Sequence, residues 1–444
     1  MNIIKIAIRN LLRFKRRTAL TSFLIVLGVA LVIVFGGVGN SFKSEVIDSL
    51  TGTSLGDIQL HKKGYVSSID NLPLDRNIPP QAVKMIETTL DANPEIAAYS
   101  ERIRFGAMIS NFQTTTNIRF TGVSPEREIA TLPKLLERVQ AGGGTTVDTF
   151  VPPGSIAIPQ NLAAGLGLKV GSSVVVVATN KDGSVNGLTL RVGGITENIS
   201  GPSGRDGFMN IEDARSLLQI DDGQITEVAI RLKNFDKLDS ISSRLAQGFG
   251  AMPSAGGGSK GSMQGLETGA PKNIGAPPSP SGANGNPSGL EVHTWAQLSP
   301  FASVAQIITL LLIIVRIVLA FIVLTSILNV MIMSLYERIG EIGTIASMGT
   351  TPSKILRLFL TEGLALGVLG AIAGSIVGTA ILLVIGAMRS RITFGNMHVV
   401  LTPQIPTAEI GLAIVMVVVI SALASLQPAI KASRMEPVDA LRHV

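Results

Sequence analysis

Four stretches of the chain carry apolar residues with almost no interruption, at 19–38, 301–335, 352–388 and 408–426. Each is long enough to cross the ~30 Å hydrocarbon core of a bilayer. Between the first and the second no run reaches that length, and short segments alternate between two-residue and 3.6-residue periods. The alternation predicts strands at 57–61, 103–109, 116–123, 155–158, 174–178, 188–192 and 225–232. It predicts helices at 79–90, 160–166, 211–218 and 235–245. Local punctuation agrees with this division. Pro79 and Pro80 stand before a face made of Val83, Ile86 and Leu90, and Gly167 closes the next helix. Asn111-Phe112 forms a turn, and Asn180-Lys181-Asp182-Gly183 is a hairpin signal. The expected fold is an α-helical membrane domain of four transmembrane helices plus an α+β extracytoplasmic domain in two lobes. The domain covers 40–300. Its outer lobe is 124–222, and the inner lobe is assembled from both flanks because the chain leaves and returns to the membrane there.

One segment of that domain breaks the pattern. Residues 248–289 are dense in Gly, Pro, Ser and Asn, cannot bury enough apolar surface to order themselves, and are predicted to be a disordered insertion. The run Gly256-Gly257-Gly258-Ser259-Lys260-Gly261-Ser262 evokes a phosphate loop. It fails the spacing, because Lys260 follows Ser259 where glycine is needed, and no strand precedes it.

The membrane segments carry their own detail. In residues 1–17, Lys5, Arg9 and Arg13 recur every four positions with Ile4, Ile8, Leu11 and Leu12 between them, a basic amphipathic helix suited to a membrane interface. A signal peptide is the competing reading. The length of the following run and the lack of a clear small-x-small site after it favour a retained first span, 18–39. The second apolar helix, 301–335, is about 50 Å long at 1.5 Å per residue, so part of it must protrude as a stalk. Counting back about 30 Å from Tyr336 places Arg316 at the outer interface, where it can snorkel; the alternative is a buried charge on a substrate path. The third span, 352–388, holds Gly363, Gly367, Gly370, Gly374 and Gly378, a small-residue ladder that lets helices approach closely. Glu362 lies two turns inside this span and is expected near basic groups at the interface. A short loop, 389–407, leads to the fourth span, 408–427, and the tail runs from 428 to 444.

The link between the second and third spans, 336–351, organises the rest. It reads Tyr336-Glu337-Arg338-Ile339-Gly340-Glu341 and continues to Met348-Gly349. Glu337 and Glu341 are four apart and are expected on one helical face; Ile339, Ile342 and Ile345 form an apolar seam beside it. Gly349 is a stop, and Thr351 with Pro352 is a cap followed by a first-turn proline. This is a small helix lying on the membrane surface. An ordinary polar turn with its charges solvated at the headgroups fits the same composition equally well.

Composition narrows the class. Charged residues are 15% of the 444, and the net charge is +6. The basic residues cluster beside apolar segments, and three tyrosines and one tryptophan supply few stacking platforms, so membrane orientation explains the excess and nucleic-acid binding does not. Lys5, Arg9, Arg13, Lys15, Arg16, Arg17, Arg338, Lys354 and Arg357 place both termini and the 336–351 link on the cytoplasmic side. With no cysteine, disulfides and thiolate chemistry are excluded. His61, His293, His398 and His443 are far apart and lack partners at metal-ligand spacing. No complete nucleotide loop occurs. The spans hold few ionisable residues, which argues against ion-coupled transport. Energy must then reach the chain through a partner, and the 336–351 link is the compact place to receive it.

Local motifs resemble a known family, the FtsX-like permeases of the MacB and LolC/LolE type, which are membrane subunits of ABC transporters. The likeness rests on Arg9-Asn10-Leu11-Leu12-Arg13, on Glu337-Arg338-Ile339-Gly340-Glu341-Ile342-Gly343 through Met348-Gly349, and on Thr361-Glu362-Gly363 with the glycine ladder. It rests also on Pro428-Ala429-Ile430-Lys431-Ala432-Ser433-Arg434-Met435-Glu436-Pro437 and on His293-Thr294-Trp295. Asn210-Ile211-Glu212-Asp213-Ala214 and Leu238-Asp239-Ser240-Ile241 resemble the lipoprotein-releasing branch. The Gly/Pro-rich insertion departs from the family pattern. The resemblance implies a non-catalytic subunit of the bacterial inner membrane with a periplasmic large domain. It binds no cofactor of its own; ATP is held by a separate ABC ATPase subunit. The resemblance also implies a second permease copy or a related permease, and a periplasmic adaptor or lipoprotein acceptor. Glu337, Arg338 and Glu341 would make polar contacts to the ATPase, and Ile342, Ile345 and Met348 ahead of Gly349 would be the apolar anchor. Lipoprotein or amphiphile release, MacB-like efflux, and a cargo-free FtsX-like scaffold are the functions it brings.

Overall fold

The computed structural model describes residues 15–142, 146, 150–197, 204–221, 223–250, 289–299, 301–388, 391–394, 397–400 and 407–435. The basic segment before Lys15, nearly all of the Gly/Pro-rich insertion and the end of the tail lie outside the described residues. The chain divides into two units, one made of residues 1–46 and 303–444 and the other of 47–302. Among the described residues, four helices are long and apolar enough to cross a membrane.

The first of these, α1 (Lys15–Leu50), runs well past the end expected at 39. The apolar window stops there, but no glycine or proline breaks the polar turns that follow, and Val46 and Leu50 stay buried at helical spacing. A π-turn, Thr51–Leu55, ends the helix at Gly56, whose φ of 70° suits a residue without a side chain.

Among the described residues, the large unit is built on ten strands: β1 (Ile58–Lys62), β2 (Ile96–Ser110), β3 (Thr115–Val123), β4 (Val139–Gly142), β5 (Ser155–Pro159), β6 (Ser173–Thr179), β7 (Val185–Thr196), β8 (Asp206–Asn210), β9 (Glu227–Leu232) and β10 (Leu290–Thr294). The α-helices described beside them are α2 (Pro80–Asp91), α3 (Pro125–Thr131), α4 (Gln160–Leu166), α5 (Ile211–Leu218), α6 (Leu238–Gly248) and the short α7 (Trp295–Leu298). The strand order is β10-β1-β9-β2-β3-β8-β5-β7-β4, with β6 pairing both β2 and β7. The first five strands in that order come from the two flanks, and the rest come from the expected outer lobe. The lobes therefore share one hydrogen-bonded sheet, joined by the parallel β3–β8 pair and the antiparallel β2–β6 pair.

The interior of this unit is apolar around Leu60, Ile103, Phe105, Phe120 and Ile230, all essentially unexposed. It also contains charge. Arg102 is bound by Glu128 (Nη2 to Oε1, 2.8 Å) and by Glu227 (Nη1 to Oε1, 3.1 Å), with all three side chains buried. It also donates to the carbonyl of Ser54 in the π-turn at 2.9 Å. Such a group is tolerated inside only when paired and hydrogen-bonded. Arg231 ties the end of α1 to the sheet through Asp48 (3.1 Å) and Asp57 (3.3 Å).

The other unit contains α8 (Ala302–Glu337), α9 (Ile339–Ser347), α10 (Pro352–Ala387) and α11 (Thr407–Ser433). The segment expected to be a plain loop carries a hairpin, β11 (Arg391–Phe394) against β12 (Met397–Val400). The fourth span was expected to stop before Pro428, yet α11 continues through that proline to Ser433. A proline forfeits one backbone hydrogen bond, and here the last turn is held by Ala429 and Ala432, both buried against neighbouring helices. Ile25, Val29, Ile33, Val323, Ile327, Leu366 and Val417 make a common core between the long helices. Ile307, Ile317 and Phe321 on α8 remain exposed, as lipid-facing positions of a span would be.

Candidate functional site

The link between the second and third spans is a helix, but it is not continuous with α8. Glu337 is the last residue of α8, and Arg338, with φ −118° and ψ 18°, interrupts the helix before α9 begins at Ile339. Glu337 and Glu341 therefore sit on different helices and do not share one face, which corrects the four-residue spacing argument. Both are exposed. The far end closes as the sequence indicates. Gly349 has φ +84°, its N–H bonds the Ala346 carbonyl at 3.0 Å, and the Thr350 N–H bonds the Ile345 carbonyl at 3.4 Å. That is a helix stop that glycine adopts without strain. Thr351 holds the extended capping conformation ahead of Pro352, but its side chain makes no capping bond.

The apolar seam of α9 splits. Ile342 is buried in a cluster with Leu335, Ile355, Phe359, Ala429 and Ala432, so it packs on this chain's own helices and cannot also serve as an outward anchor. Ile345 is half-buried, and Met348 is 76% exposed. The outward apolar surface narrows to Met348 and the edge of Ile345, beside Glu341.

Arg338 is also turned inward. Its Nε–H donates to Glu341 Oε2 at 3.1 Å, and its Nη1 lies 3.3 Å from both oxygens of Glu362 on α10. Its guanidinium is 5.9 Å from the centre of the Phe359 ring. A second polar tie runs parallel to it: Lys431 Nζ on α11 donates to the Tyr336 hydroxyl at 2.9 Å and sits 5.1 Å from that ring's centre. Sequence reading placed Glu362 near basic groups, and the structure supplies the group. The Lys431–Tyr336 and Arg338–Phe359 contacts leave no signal in the sequence, because the partners are far apart along the chain.

The glycine ladder serves two neighbours. A side chain on Gly363 would meet Ser425, and one on Gly367 would meet Ser421, both on α11. One on Gly370 would meet Ile25; on Gly374, Val29 at 2.6 Å; on Gly378, the Ala30 backbone at 3.1 Å, all on α1. One face of α10 thus packs on α11 over its first half and on α1 over its second. Arg316, expected to snorkel, instead pairs with Glu409 in the first turn of α11, and Asn40 on α1 donates to the other Glu409 oxygen at 3.0 Å.

The histidines are less isolated than their numbering suggests. His61 and His293 lie on the paired strands β1 and β10, their ring centres 5.5 Å apart, and His61 Nε2 is 3.4 Å from Glu227. Among the described residues, no group of three or more His, Cys, Asp or Glu is arranged to hold a metal ion.

Comparison with known proteins gives two family matches. Residues 18–247 match the MacB-like periplasmic core domain, and residues 307–437 match the FtsX-like permease C-terminal region. A lipoprotein-releasing system transmembrane protein LolC of Xylella fastidiosa is 22% identical, aligned over 97% of each chain. An uncharacterized ABC transporter permease YvrN of Bacillus subtilis is 34% identical over 27% of this chain and 26% of its own. A macrolide export ATP-binding/permease protein MacB of Syntrophobacter fumaroxidans is 29% identical over 36% of this chain. The matched stretches span only about a quarter of YvrN's length and a fifth of MacB's.

Proposed function

The chain belongs to the FtsX-like permeases with a MacB-like periplasmic core domain, which are ABC transporter permeases, and from that premise we propose that α9 is its docking element for a separate ABC ATPase subunit. The observation that carries this reading is the division of α9. Ile342 and Arg338 are committed inward, while Glu337, Glu341 and Met348 stay exposed beside the ends of three spans. A short helix that is anchored on one face and open on the other can be gripped by a partner and move the spans. The proposed side for the ATPase is the cytoplasmic one, which the distribution of lysine and arginine favours, with the large domain on the periplasmic side. Hydrolysis belongs to the partner. The permease carries the resulting movement through the long α8 to the large domain, working with a second copy of itself or a related permease.

The proposed cargo is a lipoprotein or another amphiphile leaving the inner membrane. Support comes from the relative aligned end to end with this chain, whose printed name is that of a lipoprotein-releasing system protein. Efflux with a periplasmic adaptor is the second reading, favoured by the match to a macrolide export protein over part of the chain.

The experiment is a pull-down from detergent-solubilised membranes with a photo-crosslinker at Glu341, followed by mass spectrometry. An ATPase attached at that position supports docking. Glu337→Lys combined with Met348→Asp should then abolish co-purification while the large domain keeps its melting behaviour. Arg338 is left alone in this design, because reversing its charge would set a third carboxylate beside Glu341 and Glu362. Full ATPase recovery with the double variant would sink the docking assignment.

A further inference from the structure

Arg338 is the single residue between two helices, and neither glycine nor proline is there to set the bend. Its backbone leaves the helical region at φ −118°. A joint made of an ordinary residue has no conformational preference that fixes its angle, so the angle must come from what the side chain holds. That side chain spans three elements. Its backbone follows the end of α8, its Nε–H reaches Glu341 on α9, and its Nη1 sits 3.3 Å from both carboxylate oxygens of Glu362 on α10. The Arg338 and Glu362 side chains are only 9% and 3% exposed.

Stability alone does not account for such a pair. Desolvating two opposite charges cancels much of their attraction, and well-packed apolar residues of similar size are often as stable or more so. The site already has an apolar cluster, with Ile342, Phe359 and Ala429 around it, into which apolar residues would fit. What apolar contact cannot supply is direction. A guanidinium whose Nη1 is held by one carboxylate and whose Nε–H is held by another is oriented at two points. It therefore fixes α9 relative to α8 and α10 together.

We infer that Glu362 is a positioning residue that sets the angle of α9, so that a push on α9 moves the ends of α8 and α10 as one body. This rests on the reading of α9 as the docking helix for its importance to transport, but not for its geometry. Removing the carboxylate leaves α9 attached through Ile342 while freeing it to pivot about Arg338. The partner would still dock, and its movement would be spent in the pivot.

The chain has no cysteine, so two introduced cysteines carry the only spin labels. Met333→Cys on α8 and Met348→Cys at the end of α9 are both at exposed positions. Their distance distribution, measured by pulsed electron paramagnetic resonance on the full chain in lipid nanodiscs, reads the α8–α9 angle with no partner present. The native pair is expected to give one narrow distribution. Glu362→Gln should at least double its width, and Glu362→Asp, which keeps the carboxylate, should stay narrow. The deciding variant is Arg338→Met with Glu362→Met, which removes both buried charges together; Glu341, which loses its Arg338 partner, is exposed to solvent. The variant should melt near the native temperature and still show the broad distribution. A narrow, native-like distribution in that double variant overturns the assignment. Because no ATPase is needed, this outcome is independent of whether α9 docks one.

Discussion

Arg316 on α8 is ion-paired to Glu409 in the first turn of α11, across a sequence separation of 93 residues, and Asn40 on α1 completes the contact from the other side. Three of the long helices among the described residues are thus joined by one polar knot. Arg316 and Glu409 are about a quarter and a fifth exposed. Their pairing lets α8 carry a charge in its apolar middle third without a water-filled path.

The knot predicts a specific mutational pattern. Arg316→Gln or Glu409→Gln alone leaves the other charge without its counter-ion and should destabilise the membrane unit by about 1–3 kcal/mol, less than a fully buried pair would lose. The double variant should recover part of that loss, giving a non-zero coupling energy. Thermal melts in detergent of the two single variants and the double variant measure it. Strict additivity would show that the two side chains do not act together.

The large unit should lose stability in acid in two steps. Burial, and then the positive field of His61, push the His293 imidazole below its ordinary value. The fold thus favours neutral His293, a contribution present in full above about pH 6.5 and lost as pH falls from there through the lower folded value. Glu227 follows the same sign at lower pH. Burial alone would raise its pKa, but Arg104, His61 and Arg102 outweigh burial and hold the carboxyl far below the usual range. Its contribution is intact above about pH 4.5 and fades below that. Denaturant midpoints of the full chain, measured from pH 8 down to 3, should fall in both windows. His293→Gln should remove the first fall. Glu227→Gln should remove the second and lower stability at neutral pH by about 3 kcal/mol, because Arg104 and part of Arg102 lose their counter-charge. A flat profile between pH 7 and 5 would exclude the histidine contribution.

Much of this was legible from local chemistry, and what was missed has a common cause. Pro80, Gly167, the Asn180–Gly183 turn and Gly349 mark their elements because a turn or cap depends on a few adjacent residues. The apolar runs gave the four long helices for the same reason. By contrast, β2 is predicted only from 103 because Glu101 and Arg102 look like a solvated break. The strand runs from Ile96, and Arg102 is accommodated inside by Glu128 and Glu227. Strand β8, with Gly207 as its second residue, has no alternation to detect and is fixed by its parallel pairing with β3. The break at Arg338 has neither glycine nor proline at its position, and the carboxylate that holds its side chain, Glu362, is 24 residues away. Periodicity reports which face is apolar; it cannot report which distant charge answers a charge.

The glycine ladder gives the last test, because its members differ in what a methyl group would strike. At Gly374 an added Cβ would lie 2.6 Å from the Val29 Cβ and 2.9 Å from the Val26 carbonyl oxygen, and at Gly378 it would lie 3.1 Å from the Ala30 backbone. Backbone cannot swing aside as a side-chain tip can, so α1 must move off α10. Gly374→Ala and Gly378→Ala should each cost about 1–3 kcal/mol by overpacking, despite alanine's better helix propensity. Gly411, on α11, has nothing within 4 Å of the same position. Gly411→Ala should therefore be neutral or stabilise by up to about 1 kcal/mol. Thermal melts of the three variants in one detergent decide the matter. If Gly374→Ala melts at or above the native temperature, α1 and α10 do not pack as closely as the ladder requires, and the four helices are free to separate along that seam.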